Sequence, residues 1–261
     1  TFTATVTDGY GASTWVDVSV PVAAWVATNS MITYSFNFTN GAEYWSPEAI
    51  RVLQFAADRI ASYIVVNQPV NLTFDVKGNT ASDSTTLASA GSNLAGFVFS
   101  TGYFYTVVQN KLLRGTDFNG SAADGVIEVN FGKSWSYDDT VGFSEYDLAS
   151  VLMHEVMHAY GFTSAVNEPG DNTRRNWPIF TSGIVDGSGV DLIDESYRFN
   201  TALDTNLIGG NGGLYFGGPA AIAAYGAPVP LYTPNPWQAG SSVSHLNDGT
   251  FSGRNKQLMI A

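Results

Sequence analysis

The stretch V-L-M-H-E-V-M-H-A-Y-G-F, from Val151 to Phe162, constrains this chain more than any other. Its apolar residues, with Leu148 ahead of them, leave little of a helical surface for water, which is the pattern of a buried helix. His154 and His158 stand four residues apart, and four helical steps make slightly more than one turn, so both imidazoles project from one face. Unpaired imidazoles are costly in a buried place, and the pair is expected to grip a common ion. Glu155 leans toward the same neighbourhood without joining the pair, where it can accept a proton from water. Gly161 is the expected helix end, because glycine tolerates the left-handed turn, and Ser144 with Glu145 and Asp147 is the expected start.

H-E-x-x-H is the zinc-peptidase pattern. A catalytic zinc takes three protein ligands and keeps one position open. The chain has three histidines and no cysteine. Thiolate zinc sites, nucleophilic cysteine and disulfides are thereby excluded, and the remaining histidine, His245 in S-S-V-S-H-L-N, is the expected third ligand. Two rival readings stand beside it. A carboxylate from Glu168, Asp191, Asp194 or Glu195 would make a gluzincin-type site, and a non-catalytic secreted binding or adhesion module could retain a metal site without using it.

Along the chain, Phe2 to Thr7 and Thr14 to Val20 alternate β-formers around Asp8-Gly9-Tyr10-Gly11. They predict a hairpin over residues 1–27, either a remnant of an immunoglobulin-like or cadherin-like module or an added part of the main sheet. Ile32 to Phe38 and Val70 to Val76 read as strands. Between them Ser46-Pro47-Glu48 opens a helix whose apolar residues Ile50, Leu53, Ala57, Ile60 and Ile64 carry it to about Val65, making a parallel β-α-β unit. Thr80 to Ser92 reads as loop, followed by Phe97 to Phe99 and a helical patch from Tyr105 to Leu113. Gly125 to Phe131 alternates like an edge strand open to an extended peptide. Past Phe162, Gly, Pro and Asn prevail, with only Ala220 to Tyr225 helical. The expectation is one domain over residues 28–261 in two halves, 28–162 and 163–261, with the metal helix flooring the cleft between them.

The order His154 to Phe162, Gly218-Pro219-Ala220, Ala224-Tyr225-Gly226, Val229-Pro230-Leu231, Ser244-His245-Leu246 and Leu258-Met259 resembles the leishmanolysin-like branch of the metzincin metallopeptidases. The likeness covers Asp124 to Met259. Ser164 stands where short-spacer metzincins carry their third histidine, so those subfamilies are set aside. The resemblance implies an α+β, metzincin-like fold: a twisted mixed sheet with long helices in the N-terminal half, an active-site helix and a loop-rich C-terminal half. It implies zinc on His154, His158 and His245, Glu155 as general base, Met259 as the Met-turn residue beneath the metal, and a protein or peptide substrate.

The formal charge of -12 with only 11 Lys and Arg argues against nucleic acid and anionic membranes as partners. No apolar run has the ~20 residues of a membrane span. No basic-then-apolar leader precedes Thr1, so a mature or excised product is expected; high Thr, Ser, Asn and Gly with few charges suit a secreted protein, and a monomer is expected. Asp186-Gly187-Ser188-Gly189-Val190-Asp191, with Asp194 and Glu195, offers oxygens for calcium, although a plain turn competes because the spacing is not that of an EF-hand. Arg174 and Arg175 read as a solvated loop.

Overall fold

The computed structural model of the chain describes residues 2–7, 13–18, 31–82, 84–96 and 100–261. Strands β1 (Phe2–Thr7) and β2 (Ser13–Val18) pair antiparallel, Phe2 opposite Val18, and make a two-stranded sheet of their own rather than extending the main one. The turn between them and Phe97 to Phe99 lie outside the described residues.

The main sheet is built from β3 (Ile32–Phe38), β4 (Val70–Asn79), β5 (Ala88–Gly91) and, further on, β7. Helix α1 (Pro47–Ala61) joins β3 to β4, and the two strands pair in parallel, Ile32 opposite Val70, as the β-α-β reading expects. The Ser46 hydroxyl accepts from the Ala49 N–H, capping α1 ahead of Pro47. Its inner face is Ala49, Val52, Leu53, Ala56, Ala57 and Ile60. Four alanines at or beside that face let α3 approach closely. The helix stops short of Val65 because its last turn tightens: Tyr63 and Ile64 donate to carbonyls only three residues back. Val65 is left exposed.

Strand β6 (Gly102–Phe104) and helix α2 (Val107–Arg114) follow, α2 opened by a capping box between Thr106 and Gln109. Strand β7 (Gly125–Asn130) then enters the sheet between β4 and β5, giving the order β3-β4-β7-β5. Gly125 to Phe131 is therefore an interior strand and not the edge. The alternation that identified it reports which faces are wet and is silent about which neighbours flank it. The edge strands are β3 and β5, and β5, antiparallel to β7, lies in a stretch the sequence presents as loop. Its A-S-A-G composition lacks the β-branched and aromatic residues that announce a strand.

Short strands β8 (Trp135–Ser136) and β9 (Tyr146–Asp147) pair in parallel and lead into α3 (Leu148–Ala159). Beyond α3, β10 (Asn176–Pro178) pairs with β6, while β11 (Ile184–Val185), β12 (Tyr215–Phe216) and β13 (Val229–Pro230) make a small antiparallel sheet, with α4 (Pro219–Tyr225) between β12 and β13. Helices and strands are thus mixed in the manner of the α+β class. Two apolar clusters form, one around Phe74, Ile127, Leu53 and Leu152, the other around Trp177, Leu192, Leu207 and Leu231. No helix among the described residues is long and apolar enough to cross a membrane.

Leu152 is fully buried in the first cluster on the inner face of α3. Leu152→Ala should cost about 3 kcal/mol in urea unfolding; a loss under about 1 kcal/mol would show that this face is not packed.

Candidate metal centre

Helix α3 starts at Asp147 rather than Ser144. The Asp147 carboxylate accepts from the Ala149 N–H and the Ser150 hydroxyl, so the residue nearest the first turn provides the cap. The helix ends in a Schellman motif: the Phe162 N–H donates to the Met157 carbonyl and the Gly161 N–H to the His158 carbonyl, with Gly161 at φ 102°. A Cβ on Gly161 would lie 2.2 Å from the Gln109 amide, so the turn admits only glycine without displacing α2's cap. The turn has a chemical result. It brings the Phe162 carbonyl back to His158, whose Nδ1 lies 2.7 Å from it.

The other two imidazoles are held in the same way. His154 Nδ1 is 2.7 Å from the Leu258 carbonyl, and His245 Nδ1 is 2.8 Å from the Ser241 carbonyl. A carbonyl can only accept, so each Nδ1 carries the proton. Burial pushes all three histidines down from the ordinary value, His158 to about 4, and keeps the rings neutral. Each Nε2 is then a bare acceptor. These three Nε2 atoms face one another at 3.0, 3.0 and 3.1 Å, a nearly equilateral triangle.

Three lone pairs converging without a donor among them repel unless a cation stands between. The histidine group could hold a metal ion. The fit is chemical as well as geometric, because the backbone carbonyls fix the tautomer that ligation requires.

Glu155 is 6 % exposed and its Oε2 finds no partner. Desolvation pushes its carboxyl up to about 7, partly offset by the Ala90 N–H, which donates to it from the sheet edge. Met259 is buried, and the segment around it clasps two ligands: Leu258 receives His154, while the Met259 carbonyl receives the N–H of Leu246, next to His245.

The carboxylates weighed as third ligands, Glu168, Asp191, Asp194 and Glu195, do not belong to the histidine group. Nor do the oxygens proposed for calcium converge. Asp186 Oδ1 accepts from Ser188 and Val190 within its own turn, and Asp194 Oδ1 from Ser196 and Arg198. Arg174 is exposed, yet its guanidinium donates to the Ala165 carbonyl at 3.0 Å and lies over Trp177, which ties down the chain leaving α3. Sequence reasoning missed the three carbonyls and the Ala90 N–H, and it placed the helix start at Ser144 with Glu145 and Asp147 without singling out Asp147 as the cap. The carbonyls and the N–H leave no signal, because every non-proline residue carries both groups. The chain matches no protein-family model, no curated protein and no solved structure.

In chelated protein the raised Glu155 pKa has a definite sign. Between the unfolded value near 4.5 and about 7 the folded state binds the extra proton, so this contribution is present at low pH and lost as pH rises through 7. Glu155→Gln should therefore stabilise the chelated protein at pH 8 by up to about 3 kcal/mol, with the gain vanishing below pH 4.5. Urea midpoints that differ equally at both pH values would refute the shift.

Proposed function

We propose that the chain is a zinc-dependent endopeptidase. The observation that carries this reading is the triangle of donor-free Nε2 atoms, with a buried carboxylate that has an unpartnered oxygen one residue beyond His154 on the same helix. Tetrahedral zinc at about 2.0–2.1 Å from each nitrogen separates its ligands by about 3.3 Å, close to the 3.0–3.1 Å edges. Three neutral imidazoles without a thiolate suit zinc among first-row ions, and three protein ligands leave a position open for chemistry. His154, His158 and His245 would hold the ion. When bound, it supplies a Lewis acid that polarises a carbonyl and acidifies water.

Glu155 takes the proton of the attacking water and passes it to the departing amine. The Ala90 N–H fixes the carboxylate against the sheet edge. Leu87 gives its carbonyl to Asn130 on the inner side, so by alternation Ala88 and Ala90 turn their backbone groups outward. Among the described residues no strand pairs with that outer side. An extended peptide laid along β5 would thus run past Glu155, which is the chemistry of a protein or peptide substrate. Met259, buried and bonded through its carbonyl to the Leu246 N–H, would take the Met-turn role that the metzincin resemblance assigns it. High Thr, Ser, Asn and Gly with few charges suit a secreted enzyme, and a monomer is proposed.

Glu155→Ala should retain one equivalent of zinc and lower casein cleavage by at least about 100-fold, while His245→Ala should lose stoichiometric zinc. Undiminished cleavage by Glu155→Ala would remove the hydrolytic reading, and full zinc in His245→Ala would remove the ligand set.

A further inference from the structure

His245 reaches the other two ligands from 87 residues beyond His158. Its approach is shaped by a strained clasp. Val243 is fully buried at φ 64°, a left-handed conformation that β-branched residues rarely adopt. Such an outlier persists only where the surroundings over-determine it. Here the Val243 N–H donates to the Tyr232 carbonyl and the Tyr232 N–H to the His245 carbonyl. The next residue, Ser244, turns its hydroxyl onto the segment leaving α3, where it accepts from the Ser164 N–H at 3.1 Å and meets the Ser164 hydroxyl at 3.1 Å. Thr181 completes the set by donating to the Ser164 carbonyl. On the other strap Ala165 also has a positive φ, of 53°, and its carbonyl receives Arg174. Ser164, Thr181 and Ser244 are each buried, at 0 %, 1 % and 8 % exposure, so the Ser164 and Ser244 hydroxyls bond each other and the Thr181 hydroxyl the Ser164 carbonyl.

We propose that Ser244, through its bonds to Ser164, is a positioning residue that sets His245 at the metal. This rests on the three-histidine reading of the site. The polypeptide leaving α3 and the polypeptide bringing the third ligand are pinned together one residue away from that ligand. Without the pin, the left-handed turn at Val243 keeps its bonds to Tyr232 but loses its tie to the segment leaving α3, and the His245 ring is held less firmly at the triangle. A merely structural hydroxyl pair would affect melting and leave the metal indifferent.

The test compares wild type, Ser244→Ala, Ser244→Thr, Thr181→Val and His245→Ala, each loaded with zinc in competition with a chelator and, separately, with cobalt(II) for its visible spectrum. Ser244→Ala should bind zinc about 10- to 100-fold more weakly and give an altered cobalt spectrum, and Ser244→Thr, which keeps the hydroxyl, should recover both. Should Ser244→Ala not fold, Thr181→Val, which removes only the support of Ser164, should show the same spectral change in smaller degree. Wild-type affinity and an unaltered spectrum in a foldable clasp variant, with His245→Ala impaired, would overturn the positioning role alone. An absence of tight binding in wild type, or full affinity in His245→Ala, would overturn the metal reading and the clasp with it.

Discussion

Everything in this structure leads to three neutral nitrogens facing one another with no proton to share. Each imidazole hands its own proton outward to a backbone carbonyl, of Leu258, Phe162 or Ser241, so its inner nitrogen has only a lone pair to offer. A fold that needed histidines merely as packing would orient at least one ring to donate. The chain instead fixes all three as acceptors inside a partly desolvated space, an arrangement that is unfavourable until a cation completes it.

The surroundings make that arrangement rigid. Helix α3 is pressed between the small-residue face of α1 and the main sheet, with Leu148, Leu152 and Val156 fully or nearly fully buried. The two histidines on it cannot roll away without disturbing that core. The sheet contributes directly, since its edge strand β5 supplies the Ala90 N–H to Glu155. The second apolar cluster anchors the chain that returns with His245. Each cluster presents part of one site, and only their joint folding assembles it.

Much of this is readable in the residues, and the limits have physical reasons. Helical spacing places His154 and His158 on one face wherever the helix lies, and a ligand shortage in a chain with three histidines and no cysteine leads to His245. Periodicity also finds β3, β4 and α1. It fails at β5, where Ala and Gly carry no strand preference, and at β7 it finds the strand but not its place in the sheet, because alternation reveals faces and not neighbours. The carbonyls that orient the imidazoles are beyond sequence reading because every residue has one. So is the left-handed turn at Val243, since nothing about valine announces it.

The 87-residue separation between His158 and His245 has a consequence for durability. In the proposed holoenzyme the ion is a cross-link in a polypeptide without disulfides. Tying two points that far apart removes freedom from the denatured chain worth about 4–5 kcal/mol in the loop-entropy account. The metal would then act as this protein's staple as well as its reagent, and a protease that sheds it would become easier to unfold and degrade.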